Sequence, residues 1–145
     1  MSPIDAAIVR RKLGHIMTSL DLLGPMRGIP LHEYRRRVWE RKGVERVLQE
    51  AIEAALDVNA HLIAELGHDV PDDYFGGFVK LGQLGVLPEE LARALAPSAE
   101  LRNRLVHEYD ALDDAKVLAA VGTILDLYPR YIQAIEAALV KLGGS

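Results

Sequence analysis

The sequence predicts an all-α protein, an up-and-down bundle of four to six helices. Three observations carry that expectation. Half of the 145 residues are hydrophobic but only 6% are aromatic, so small and aliphatic side chains supply the apolar surface, as in packed helices. These residues recur at alternating spacings of three and four. Proline and glycine cluster where the periodic stretches end. The length predicts one domain, residues 1–145, large enough to bury a core without staples.

The elements follow in order. Ser2-Pro3 reads as an N-cap and first-turn proline, with Asp5 in the first turn. Val9, Leu13, Ile16, Leu20 and Leu23 then form one stripe, and Gly24-Pro25 ends it. Residues 25–31, with Gly28 and Pro30, read as a loop. From about His32 to Leu66 only Gly43 opposes a continuous helix, at a cost of ~1 kcal/mol. Its seam is Leu48, Ile52, Ala55, Asn59, Leu62 and Leu66. Asn59 needs a partner there, either a neighbouring helix whose register it sets or a functional site.

Gly67 to Pro71 is a turn, and Asp72 or Asp73 caps a short helix to about Leu84, with Tyr74, Phe75, Phe78 and Leu81 inward. Gly76, Gly77, Gly82 and Gly85 make this helix weak by itself. No strand and no Gly-Lys-Ser/Thr accompanies them, so they read as close helix contacts and not as a phosphate loop. Pro88-Glu89-Glu90 opens the next helix. Pro97 is expected to kink or briefly break it and to push Ala96 out of the helical region. The helix then continues to Asp110–Asp113, and Asp113 or Asp114 caps the last one. Val117, Val121, Ile124, Tyr128, Tyr131, Ile135, Ala138 and Leu142 form its stripe. Leu118, Leu125, Ile132 and Leu139 broaden it enough for a dimer contact as well. Pro129 should bend this helix, and residues 143–145 should fray.

Several classes are excluded. With no cysteine, disulfides, thiolate metal sites and cysteine nucleophiles are ruled out. The amino terminus lacks a basic-then-apolar signal and no apolar run nears the ~18 residues of a membrane span, so a soluble cytoplasmic protein without a membrane partner is expected. His15, His32, His61 and His68 show no metal-binding spacing, and the acids form no calcium loop; no metal and no cofactor are expected. The net charge of −4 argues against a generic nucleic-acid coat. Its distribution is uneven, however: residues 1–46 carry ten Lys/Arg against five Asp/Glu, concentrated in Arg10-Arg11-Lys12, Arg35-Arg36-Arg37 and Arg41-Lys42-Arg46. Such clusters attract phosphates locally or serve as solvated helix faces.

The chemistry concentrates in Leu101-Arg102-Asn103-Arg104-Leu105-Val106-His107-Glu108-Tyr109-Asp110. On a continuous helix Asn103, Val106, His107 and Asp110 share one side, Arg102 and Tyr109 align along the adjoining edge, and Arg104 pairs with Glu108 in solvent. A cation beside an imidazole suits phosphoryl chemistry. A histidine near a helix end with neighbouring carboxylates also fits a capping or ion-paired residue.

The segment Arg102-Asn103-x-Leu105-Val106-His107-x-Tyr109 resembles the Arg-x4-His-x-Tyr motif of the HepT-like ribonuclease toxins of the HEPN superfamily. Leu62-Ile63-Ala64-Glu65, the Pro71/Tyr74/Phe78/Leu81 run and Gly85-Val86-Leu87-Pro88-Glu89-Glu90-Leu91-Ala92 match the family's pattern in order and spacing, so the resemblance extends from Gln49 to Leu127. Pro97 and Glu100 depart from it, since the family usually runs unbroken there with a small residue at the second position.

The resemblance implies a HEPN-like bundle and a metal-independent endoribonuclease acting as a toxin on tRNA or mRNA. In it His107 is the acid or base and Arg102 stabilises the phosphorane formed by 2′-hydroxyl attack. Asn103 orients the imidazole or contacts phosphate. Tyr109 is a stacking platform, a structural phenol, or the residue to which an MntA-type nucleotidyltransferase antitoxin attaches AMP. Arg102 and His107 diverge by 140° on one straight helix, and one protomer offers one imidazole for two proton transfers. A two-fold homodimer would double both groups, as the resemblance also implies. The alternatives are a non-catalytic helical module that binds a nucleotidyltransferase and, less favoured for want of a basic recognition helix, a DNA-binding regulator.

Overall fold

The computed structural model describes residues 5–143. The expected cap at Ser2-Pro3 lies outside them. Asp5 itself caps α1 (Ala6–Leu23), accepting a hydrogen bond from the Ile8 amide at 3.2 Å, and so stands before the helix instead of in its first turn. After a 3-10 turn at Gly24–Met26 come α2 (Leu31–Arg36), α3 (Val38–Glu65), α4 (Tyr74–Gln83), α5 (Glu89–Leu95), α6 (Pro97–His107) and α7 (Asp114–Lys141). No strand occurs among the described residues. Two of the junctions are breaks within otherwise continuous rods, α2 to α3 and α5 to α6, so the molecule is the expected helical bundle with two bent members.

The first bend was not expected. Arg37 leaves the helical region at φ −92°, ψ 72°, although neither proline nor glycine is near. The cause is tertiary: α2 packs on α7 while α3 packs mainly on α1, and one straight rod cannot do both. The bend buries the Tyr34 ring completely. Arg37 then bridges Glu33 and Glu40 across the break at 3.2 and 3.0 Å. At Pro97 the break occurs as the missing amide requires, but Ala96 remains helical at φ −53°, ψ −39°, contrary to expectation.

The predicted stripes form the core. Val9, Leu13, Ile16 and Leu23 of α1, Leu48, Ile52, Ala55 and Leu62 of α3, and Val117, Val121, Ile124, Tyr128, Tyr131 and Ile135 of α7 are all buried. Beyond Ile135 the stripe moves to Leu139, and Leu142 is exposed. The helix α7 runs through Pro129 without interruption. Asn59 resolves as a structural residue: the Tyr131 hydroxyl lies 2.6 Å from its Oδ1 and 3.1 Å from the Ala55 carbonyl, tying α7 to α3. The glycines of α4 serve close approach. A Cβ on Gly82 would stand 2.7 Å from the Ala92 Cβ of α5.

Turns and caps close the bundle. Gly67, at φ +83°, ends α3 with the His68 amide returning to the Ile63 carbonyl at 3.1 Å, the six-to-one bond of a glycine-terminated helix. Asp73 caps α4 and Asp113 caps α7. An ion pair between Arg41 and Asp114, 3.0 Å long and mostly shielded, ties the start of α7 to the first turns of α3.

Candidate active site

The helix α6 carries the motif and lies against α3, α4 and α5. Leu101 and Leu105 are buried beneath it, so Arg102 and Asn103 emerge at its margin. Arg102 is 18% exposed and is held on two sides. Its Nε and Nη2 donate to a single oxygen of Glu53, Oε2, at 3.1 and 2.9 Å. Its Nη1 donates to Asn103 Oδ1 at 3.3 Å. The guanidinium carbon also sits 5.2 Å from the centre of the Tyr74 ring, within cation–π range. Two of these partners, Glu53 and Tyr74, were not anticipated as site residues.

The reasons are physical. Tyr74 and Phe75 were expected inward, yet both are exposed, Tyr74 by 47%. They open α4 just after its cap, where the helix overhangs α6, and with Asp73, Ala99, Glu100 and Asn103 they line a cleft of about 330 Å³. Glu53 occupies a half-buried position beside the apolar seam of α3. A carboxylate bordering that seam, facing an arginine-bearing helix, was the available signal.

Beyond Asn103 the arrangement departs from the expectation. The helix stops at His107: Glu108 turns to φ −129°, ψ 32°, and Tyr109 and Asp110 lie in the turn that follows. The chain must there swing back so that Asp113 can cap α7 and Asp114 can reach Arg41. Tyr109 therefore does not align with Arg102 along a helix edge, and Asp110 is not on the Asn103–His107 face. Arg104 and Glu108 form no ion pair among the described residues; their one bond is the backbone return from the Glu108 amide to the Arg104 carbonyl, 2.8 Å. His107 ends α6 exposed to solvent, and Tyr109 is 65% exposed. The fold thus brings Arg102 and Asn103 together and leaves His107 and Tyr109 on the adjoining open surface, with no hydrogen bond to the arginine.

On the face of α6 bearing Leu101, Arg104 and Glu108, a second cavity of about 520 Å³ lies against α7. Its floor includes the buried Ser98 and Tyr128 hydroxyls, 2.8 Å apart. Loss of solvent pushes the Tyr128 phenol well above its ordinary range, with the Ser98 bond opposing, so it acts as a neutral hydrogen-bonding group. No three metal-ligating side chains gather among the described residues, and no described helix is long and apolar enough to cross a membrane.

The family model described as "Ribonuclease HepT-like" matches residues 16–135. This chain belongs to the HepT-like ribonuclease family. The tRNA nuclease HepT of Aphanizomenon flos-aquae (strain 2012/KM1/D3) is 37% identical over 142 residues, 98% of this chain and 97% of that protein. The fold recurs in the cytosolic protein of unknown function YutE from Bacillus subtilis, with a TM-score of 0.82 at 19% identity over 96% of this chain and 93% of that one. It recurs again in a tri-AMPylated Shewanella oneidensis HEPN toxin in complex with MNT antitoxin, with a TM-score of 0.80 at 23% identity over 90% and 97% of the two chains. The HepT-like motif thus falls within the matched residues, from Arg102 to Tyr109.

Proposed function

We propose that this protein, with residues 1–145 acting as one HEPN/HepT-like helical domain, is a metal-independent endoribonuclease and the toxin of a toxin–antitoxin pair. The observation that carries the reading is Arg102, positioned by Glu53 and Tyr74 at the edge of an open surface that also bears His107. RNA supplies its own nucleophile, the 2′-hydroxyl. His107 takes that proton, or donates one to the departing 5′-oxygen, a contribution on the order of 10²–10⁴ in rate. Arg102 meets the charge that builds on the phosphorane. Asn103, already within hydrogen-bond reach of the guanidinium, steadies the phosphate. The P–O5′ bond breaks as the O2′–P bond forms, leaving a 2′,3′-cyclic phosphate and a free 5′-hydroxyl.

Because Arg102 and His107 point 140° apart on α6, the reading includes a two-fold homodimer in which the imidazole of one protomer works with the arginine of the other. The exposed phenol of Tyr109, two residues beyond His107, is the position at which an MntA-type nucleotidyltransferase antitoxin would attach AMP. The added phosphate would compete with RNA for the cations of the site. The AMPylated state of the Shewanella toxin supports this part by analogy.

The test is cleavage of a structured RNA in EDTA, with the ends identified by mass spectrometry. Cyclic phosphate ends are expected, lost in folded Arg102→Ala and His107→Ala proteins. Ends bearing 5′-phosphate, or undiminished cleavage by both variants, would refute the mechanism.

A further inference from the structure

The surface of α3 leading away from Arg102 has an unusual make-up. Glu53, Gln49, Arg46, Lys42 and Trp39 recur at spacings of four, three, four and three, so they occupy one sector about 80° wide. The stripe runs from the carboxylate that holds Arg102 to an indole about 21 Å away at 1.5 Å per residue. Trp39 is 88% exposed, which is costly for the largest apolar side chain unless something covers it.

The neighbouring cations are available. Arg35 and Arg36 are exposed and make no ion pair among the described residues. Lys42 and Arg46 face carboxylates only loosely, at 3.9 and 3.7 Å and without a hydrogen bond. Arg37 and Arg41, by contrast, are committed to Glu33, Glu40 and Asp114, and the Arg41–Asp114 pair holds this end of α3 against the segment that follows His107.

We infer that this stripe is a track for single-stranded RNA, in which Trp39 stacks on an unpaired base while Arg35, Arg36, Lys42 and Arg46 contact the phosphates that lead to Arg102. The proposal rests on the ribonuclease reading and adds a binding subsite remote from the cleaved bond. Cations flanking an open aromatic ring are the means by which single strands are held without regard to sequence. Charge favours this occupant over a protein partner, because Arg35 and Arg36 of α2 add to Lys42 and Arg46 here in a chain that is acidic overall.

Trp39 is the only tryptophan, so its emission reports on this position alone. A His107→Ala protein titrated with a 12-nucleotide single-stranded oligoribonucleotide should show saturable quenching that weakens with salt. Trp39→Ala, followed by anisotropy of a labelled oligonucleotide, should weaken binding about ten-fold, and Trp39→Phe should restore most of it. Replacing Arg35 and Arg36 by alanine should flatten the logarithmic salt dependence by about 1.4. Unchanged emission with RNA, while the parent protein still cleaves it, would overturn the track and leave the ribonuclease standing. Quenching without cleavage by the parent would do the reverse. Emission that shifts with protein concentration in the absence of RNA, with Trp39→Ala altering the oligomeric mass, would assign the indole to a protein contact and overturn the proposal.

Discussion

Glu53 grips Arg102 through a single carboxylate oxygen, which receives both Nη2 at 2.9 Å and Nε at 3.1 Å. An acid from the middle of α3 thus orients the cation assigned to the phosphate and at the same time offsets its charge. Replacement by glutamine keeps an acceptor of similar shape and removes the charge. Glu53→Gln is expected to lower KM for RNA a few-fold and steepen its salt dependence, since one more positive charge is left for phosphate. Steady-state kinetics at two salt concentrations check this; a raised KM would show that the carboxylate's grip matters more than its neutralising effect.

Arg102→Lys should not behave as a conservative change. A lysine cannot reproduce the double contact with Glu53 or the guanidinium's contact with the Tyr74 ring. Turnover is expected to fall about 10²–10³-fold. Thermal stability should move little, because water reaches the half-exposed Glu53 that is left behind. Tyr74→Phe keeps the ring face and should cleave like the parent, whereas Tyr74→Ala should reduce kcat. Equal losses in both would point to the hydroxyl.

Tyr131→Phe addresses the link between α7 and α3. It deprives the buried Asn59 Oδ1 of its hydrogen-bond donor, an arrangement that costs about 1–3 kcal/mol. A denaturant melt should register the loss, and RNA binding by the folded protein should be unaffected. An unchanged melt would mean that Asn59 finds another partner.

The buried surroundings of Glu45 predict a pH dependence. Loss of solvent raises its carboxyl above the usual 4.5, Asp114 adds to the effect, and Lys42 and Arg41 oppose it. The folded state therefore holds this proton to higher pH than the unfolded chain. The associated stability is complete below the ordinary carboxylate range and is lost as pH rises through the raised value. Glu45→Gln should flatten the melting profile above pH 4.5 and be the more stable protein near neutrality. Parallel profiles would exclude this carboxyl as the cause.

Gly82→Ala tests the contact between α4 and α5. The new methyl would meet Ala92 at 2.7 Å, and moving the two backbones apart costs about 1–3 kcal/mol. Gly14→Ala, where nothing lies within 4 Å, is the matched control and should be neutral or stabilising.

Helix order and core were legible because burial follows the three-four spacing directly: the stripes of α1, α3 and α7 are the core. What escaped were features decided between helices. Arg37 breaks a rod because α2 and α3 have different packing partners, and no residue near it announces a stop. The end of α6 at His107 is imposed by the return to α7 and its tie to Arg41, with no glycine or proline in the turn. Tyr74 and Phe75 are apolar by type, so the pattern placed them inside; only the overhang of α4 on α6 turns them outward. The motif named Arg102, Asn103, His107 and Tyr109 as candidates, and of these the fold joins Arg102 and Asn103 by a hydrogen bond. The carboxylate that holds Arg102 lies 49 residues away in the chain, beyond what local spacing encodes.

The five tyrosines divide sharply. Tyr34, Tyr128 and Tyr131 are sealed in the interior, while Tyr74 and Tyr109 meet solvent. Of these two, Tyr74 lies beneath a guanidinium, which leaves Tyr109 as the phenol with an unobstructed approach. An electrophile delivered to the folded surface would therefore be guided by accessibility before any recognition of sequence. Footprinting of the native protein with a tyrosine-selective reagent should label this turn first, and the interior rings only on unfolding.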